Sequence, residues 1–316
     1  MAIRQAASMR IGINGSSLIS LGRPVTELVD HAVQAERDGF DSYWVAQLGV
    51  PDALTVLALM GQATSTIELG TAVISTWPRH PLMLAGQALT TAELCPGRLV
   101  LGIGLAHKPS VESTLKIPFE RPARHMTQYL DVLLPALSER RVSAEGDIWS
   151  GETEGLGGQA GTPAPSVMLA AMGPRMLAMA GSRTDGSILW LSGPRVIEAT
   201  IAPALRTAAE EAGRPEPRIV ASVPVCVTDR PDEVRGLIAA VLGGYNDLPS
   251  YRGVMDVEGA GGPEDVSLVG DEAEVRAGVQ AFADAGATDF APVEIVTDDE
   301  TGARTRSLLK ELHASG

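Results

Sequence analysis

The stretch Leu99-Val-Leu-Gly-Ile-Gly-Leu-Ala-His-Lys-Pro109 decides the fold. Leu99, Val100, Leu101 and Ile103 form a near-continuous apolar run, the pattern of a strand buried on both faces inside a parallel sheet. Gly102 and Gly104 interrupt it with backbone that a ligand can approach closely, because no Cβ intervenes. His107 and Lys108 then follow just beyond the carboxyl end, where parallel α/β folds bind ligands and do chemistry. Taken alone, the stretch also fits a buried strand with an ordinary polar loop, so its neighbours must decide.

The neighbours alternate. Apolar strand patterns fall at 9–14, 42–46, 67–75, 167–171, 187–191, 219–227 and 289–296. Between them lie helical patterns: one opens at Pro24 and stops at Gly39, and others cover 52–65, 81–94, 121–139, 174–180, 194–212, 232–245, 272–285 and 304–312. In the first, Leu28, Ala32, Ala35 and Gly39 share one stripe, with Pro24 suited to a first turn and Gly39 to a C-cap. Alternation of this kind implies parallel pairing through right-handed crossovers. With the opening stretch the strands number eight, and eight such units close into a (β/α)8 TIM barrel, an α/β fold. Two segments, 151–165 and 246–263, are rich in Gly and Pro and lack periodicity, so they read as long loops at the C-terminal mouth. We expect a short unstructured extension over 1–8 and a single barrel domain over 9–316.

Bulk composition narrows the function classes. The chain has 316 residues, of which 45% are hydrophobic, and a formal charge of −14 from 25 Lys+Arg against 39 Asp+Glu. Scattered acidity of this size argues against nucleic acid or an anionic membrane as partner. No apolar run reaches the roughly 18 residues of a membrane span, and residues 1–8 lack the apolar core of a secretory signal. Cys95 and Cys226 form no redox or metal motif, and none of the five histidines pairs at ligand spacing, so no metal is expected. Gly102 and Gly104 lack the third glycine of a dinucleotide fingerprint, and neither a P-loop nor a nucleophile elbow is present. A reduced cytoplasmic enzyme is the expectation.

Five motifs in order carry a resemblance: Phe40-Asp-Ser-Tyr-Trp-Val45, Leu69-Gly-Thr-Ala-Val73, Arg79-His-Pro81, Gly97-Arg-Leu-Val-Leu-Gly-Ile-Gly104 and Ala170-Ala-Met-Gly-Pro174. Together they resemble the luciferase-like oxidoreductases, and most closely the branch that uses the deazaflavin coenzyme F420. The resemblance implies hydride transfer between cofactor C5 and a small organic substrate. It implies a cis peptide at Ala72–Val73 beneath the central ring, with Gly104, Leu105, Ala106 and His107 over the reactive face. It also implies a phosphate loop of Ala170, Ala171, Met172, Gly173, Pro174 and Arg175, where a helix N-terminus suits an anion. His107 stands where some relatives place an acidic proton donor, and imidazole can do that work. Gln47 departs from the family's titratable residue after strand two; it can hydrogen-bond but not move a proton. Trp44, Trp77 and Trp190 fall at or near strand carboxyl ends and suggest an aromatic pocket, Trp44 and Trp77 toward substrate and Trp190 toward cofactor. A homodimer is implied as well, with small residues over 52–64 and 81–92 for close helix contact. The alternatives are an FMN-dependent luciferase-like monooxygenase and a non-catalytic flavin- or metabolite-binding barrel.

Overall fold

Gly12 sits where the sheet closes on itself. Its N–H donates to the Phe290 carbonyl at 2.8 Å, and a Cβ built on it would lie 2.2 Å from Ser42 Oγ. Only glycine lets strands one, two and eight meet at that point. The structure, a computed structural model, describes residues 9–315, so the extension expected over 1–8 lies outside the described residues. Arg10–Ile11 pairs in parallel with Asp289–Phe290, and Ile13–Asn14 pairs in parallel with Ser42–Val45. Between these seams run Glu68–Thr71, Leu99–Gly104, Ser166–Leu169, Gly186–Trp190 and Arg218–Ser222, each pairing in parallel with the next. The result is the expected TIM barrel.

Every residue of Leu99–Gly104 is buried, as its unbroken apolar pattern requires. Inside the barrel, Trp44, Val100, Met168, Ile188, Val220 and Ala291 pack into one cluster. The larger core lies between the sheet and the surrounding helices, where Leu28, Leu57, Leu84, Leu133, Leu177 and Leu205 are all buried. Helix starts follow their side-chain chemistry. Asp52 accepts from the Thr55 amide before Ala53–Ala63, and Asp271 with Glu274 forms a capping box on Glu272–Asp284.

Both segments expected as aperiodic mouth loops differ from that expectation. Residues 246–263 contain the helix Pro249–Glu258, whose buried Tyr251, Val254 and Met255 stand at i, i+3 and i+4. Its period is too short to register against the flanking Gly and Pro residues. Residues 151–165 begin with Gly151–Thr153 pairing antiparallel to Val142–Ala144. They then run to the far end of the barrel, where the Gln159 amide donates to Glu93 Oε1 at 2.7 Å and the Thr162 carbonyl accepts from Arg140. The chain must reach that end to enter Ser166–Leu169 in parallel, so this loop cannot stay at the mouth.

At the amino ends of the strands four charges tie the barrel together. Arg218 donates to Asp289 at 2.6 Å and to Glu68 at 2.8 Å, while Arg10 lies 3.3 Å from Glu68 and 3.2 Å from Asp289. These residues come from strands one, three, seven and eight. The Asp289 side chain is 2% exposed, so removing its main cation strands a buried charge. Arg218→Ala is expected to lower the unfolding free energy by about 3–5 kcal/mol. Arg230→Ala, which breaks only the exposed contacts to Glu233 and Asp298, should cost under about 1 kcal/mol. Chemical denaturation of both variants checks the contrast, and similar small losses would contradict it.

Candidate active site at the barrel mouth

The floor of the mouth is built where the third strand breaks. Glu68–Thr71 and Ile74–Ser75 are separated by the Ala72–Val73 peptide, which is cis, as the family resemblance implied. The Ala72 amide donates to the Val45 carbonyl at 2.9 Å, and the Gln47 amide to the Val73 carbonyl at 3.4 Å. Gly104 lies directly against this turn. A Cβ there would be 2.7 Å from Val73 Cγ2 and 3.1 Å from the Ala170 methyl group. The carboxyl ends of strands three, four and five therefore meet at one point with no space for a side chain. Ser75, in register with Gly104, carries a buried hydroxyl with no hydrogen-bond partner among the described residues.

His107 stands above this floor. The chain turns through Ala106, in the left-handed region at φ 53°, and His107 occupies the N-cap position of the helix Lys108–Ser113 without a capping bond from its side chain. The half-buried imidazole meets Tyr245 edge-on at 5.7 Å and Tyr251 at 5.5 Å, and the two tyrosine rings are 4.7 Å apart. Trp190 joins them, 6.5 Å from Tyr245, and Met172 packs into the same group with Leu191 and Met255. Burial lowers the His107 pKa below its ordinary 6.5, so the ring is neutral at neutral pH. Burial also raises both tyrosine pKa values, which keeps the phenols protonated. Sequence reasoning passed over these two tyrosines. The available signal was their concentration: a chain with four tyrosines places two within 245–251.

The remaining tryptophans and Gln47 lie elsewhere. Trp44 has no exposed surface and donates to Ser42 Oγ at 2.9 Å; a Cβ on Gly70 would touch its ring at 2.3 Å. It fills the barrel interior together with Ala72 and Val73, so it supports the floor from within and lines no open pocket. Trp77 is 8% exposed and packs against His125 in a tilted arrangement, with ring centroids 3.8 Å apart and planes at 30°. The Gln47 carboxamide is engaged at both ends: Oε1 accepts from the Ala53 amide at 2.9 Å and from Arg79, while Nε2 donates to the Gly49 carbonyl at 2.8 Å. That bonding makes Gln47 a brace for the loop after strand two.

His125 has a defined tautomer. Its Nδ1 accepts from Trp149 Nε1 at 3.1 Å, so Nε2 bears the proton and donates to Thr76 Oγ1 at 2.9 Å. Thr76 Oγ1 in turn donates to the Gly104 carbonyl at 3.3 Å. Burial pushes the His125 pKa down to about 4, so this chain of bonds stays neutral and intact at physiological pH. It ties the end of strand four to the helix Pro122–Ser138.

A groove of about 560 Å³ leads away from Leu105. One wall is Gly173, Pro174, Arg175 and Met176, at the N-terminus of the helix Pro174–Arg183; the other is Arg121, Pro122, Ala123 and Arg124. Gly173 faces open space, with nothing within 4 Å of an added Cβ. Behind this loop, Ser187 Oγ accepts from the Ala171 amide at 3.3 Å and fixes its course. Apart from Gln47, Trp44 and Trp77, most of the expected site residues fall into three neighbouring parts. Ala72, Val73, Gly104 and Ala170 form the floor; His107, Met172 and Trp190 stand on the wall; Leu105, Gly173, Pro174 and Arg175 line the groove.

Comparisons with known proteins agree with this architecture. Residues 8–289 match the luciferase-like monooxygenase family. A relative described as an F420-dependent glucose-6-phosphate dehydrogenase, from Kineococcus radiotolerans, is 31% identical over 225 residues, covering 67% of this chain and 66% of that one. Among solved structures, an F420-dependent secondary alcohol dehydrogenase in complex with an F420-acetone adduct superposes with a TM-score of 0.78 at 20% identity, over 97% of this chain and 98% of the other. The oxygenating constituent of 3,6-diketocamphane monooxygenase from Pseudomonas putida, in complex with FMN, gives a TM-score of 0.78 at 19% identity over 98% of each chain. At those identities the structures speak to the fold, while the family match spans most of the sequence. The chain is a member of the luciferase-like monooxygenase family, whose relatives include enzymes of both the deazaflavin and the flavin type.

Proposed function

We propose that this protein is a deazaflavin-dependent oxidoreductase, using coenzyme F420 to exchange a hydride with a small organic substrate. The observation that carries the reading is the junction at the mouth. An apolar floor at Val73 and Gly104 joins, through Leu105, a groove at the N-terminus of Pro174–Arg183 with Arg121, Arg124 and Arg175 among its lining residues, and a neutral histidine stands beside the joint. The F420-dependent description of the Kineococcus relative supports this cofactor over FMN.

The residues present fit such a group. The floor carries no side chain of its own at Gly104, and Ser75 offers a buried hydroxyl without a partner among the described residues. Arg175 and the amides opening Pro174–Arg183 would hold a phosphate. When bound, the deazaflavin supplies the carbon that gives or takes the hydride. The protein supplies position and a proton site. Tyr245, Tyr251 and Trp190 exclude water and fix the His107 ring. His107, neutral at rest, accepts the substrate proton when the substrate is oxidised and returns it in the reverse direction. Gln47 braces the rim. We also place a homodimer contact on the helices Ala53–Ala63 and Pro81–Leu94, where Leu59 and Met83 are exposed; light scattering should give twice the chain mass, and a monomer at micromolar concentration would contradict it.

Fluorescence titration tests the cofactor directly. Saturable quenching is expected with F420 and weaker binding with FMN; tight FMN binding without F420 binding would overturn the reading in favour of a flavin monooxygenase. Replacing the imidazole tests the proton site. His107→Ala should lower kcat by about 10²–10⁴-fold while leaving the cofactor Kd within a few fold. In the oxidative direction the wild-type rate should fall with acid, through a midpoint below 6.5 because burial lowers this pKa. That acid limb should vanish in the variant. Normal turnover by His107→Ala, or an unchanged acid limb, would remove His107 from the chemistry.

A further inference from the structure

One phenol at the mouth is left without a partner. Tyr251 is 8% exposed, and its hydroxyl makes no hydrogen bond among the described residues. The other three tyrosines are accounted for. Tyr43 meets His31 Nδ1 at 2.8 Å, and the Tyr245 hydroxyl is engaged by a hydrogen bond from Trp190. Tyr129 is also unpaired, but its oxygen is packed away from any open space, and that of Tyr251 is not. An unpaired hydroxyl on a buried ring is costly, so the Tyr251 oxygen points to an acceptor that the chain itself does not supply.

The surroundings specify what that acceptor belongs to. The Tyr251 ring stands edge-on to His107 at 5.5 Å and to Tyr245 at 4.7 Å, so the unpaired phenol and the proposed proton site are neighbours. Leu191 and Met255, both buried, and the partly buried Met172 and Trp190 complete an apolar and aromatic wall. This wall offers no counter-charge. The cations carried by its helices Pro194–Val196 and Pro249–Glu258 are Arg195 and Arg252, and both are spent. Arg195 Nη1 donates to the Glu258 carbonyl at 3.0 Å. Arg252 donates to Asp256 Oδ1 at 2.7 Å and to the Gly261 carbonyl at 3.0 Å. An anionic substrate would lose its hydration here and gain no ion pair.

We propose that this wall recognises an uncharged alcohol or carbonyl compound with an apolar body, and that the Tyr251 hydroxyl donates a hydrogen bond to the substrate oxygen beside His107. The inference rests on the deazaflavin reading and deepens it by naming the substrate class. In the oxidative direction the carbinol carbon gives its hydride to the cofactor, the O–H proton passes to His107, and the oxygen becomes that of a carbonyl. Tyr251 keeps its own proton, because burial raises its pKa, and so donates to that oxygen in both directions. One oxygen held from two sides is fixed in position for the transfer.

Calorimetric titration of the protein loaded with oxidised F420, with which a ketone cannot react, tests this without turnover. Three probes are used: cyclohexanone, methylenecyclohexane, which keeps the shape without the oxygen, and glucose 6-phosphate. Cyclohexanone should bind at least about tenfold more tightly than glucose 6-phosphate, the margin expected where an anion finds no partner. Tyr251→Phe should weaken cyclohexanone by about three- to tenfold, the worth of one neutral hydrogen bond, and should not weaken methylenecyclohexane. An unchanged F420 affinity shows that the variant is folded. No detectable cyclohexanone binding, a preference for glucose 6-phosphate, an equal loss for both cyclic probes, or no loss for either would overturn the inference while leaving the deazaflavin reading in place. Failure of the wild-type protein to load F420 would overturn that reading itself, and the inference with it.

Discussion

No room exists at Gly104 for even a methyl group, and the mouth is arranged around that constraint. Val73 crowds it from one side and Ala170 from the other, so three strand ends share one contact point. A side chain there would have to push back either the Ala72–Val73 turn or the loop that leads to the arginine groove. The contact is also held from behind. Trp149, His125 and Thr76 pass hydrogen bonds in sequence to the Gly104 carbonyl, and a neutral His125 keeps the direction of each bond fixed. The floor is thus determined by packing above and by polar bonding below. That rigidity is what a site needs to set a reactive atom within a fraction of an ångström.

The two ends of the barrel use different physics. At the amino ends, Arg218 bridges Asp289 and Glu68 across strands that are distant in sequence, and the chemistry there is stabilising. At the carboxyl ends the side chains that stand free are aromatic and basic, carried on loops and short helices. His107 belongs to the second group, yet it follows the fully buried strand Leu99–Gly104 by only three residues. Its ring is further confined by Tyr245 and Tyr251. This division between a stabilising end and a working end is characteristic of the fold.

Most of the fold was legible because each strand and helix carries its own period, and the unbroken apolar run at Leu99 signalled burial on both faces. The site was legible in part. Val73, Gly104 and Ala170 were singled out through motifs, and their meeting follows from the order of strand ends around a barrel. What stayed hidden depends on contacts that no local pattern encodes. Trp44 sits at a strand end yet turns into the barrel interior, because Gly70 on the neighbouring strand leaves space for its ring. Arg121 and Arg124 read as ordinary helix-start residues until Asp147 and the loop entering Pro174–Arg183 face them. The helix Pro249–Glu258, which brings Tyr251 to His107, was masked by the glycines and prolines around it.

The central claim is that floor, histidine and groove form one continuous cofactor site. A crystal structure of the protein with coenzyme F420 bound tests it most directly. The account predicts the ring resting on Val73 and Gly104, its reactive edge toward the His107 imidazole, and its phosphate at the amides after Gly173. A ring bound away from the Ala72–Val73 turn, or His107 left without contact to ring or substrate, would contradict it.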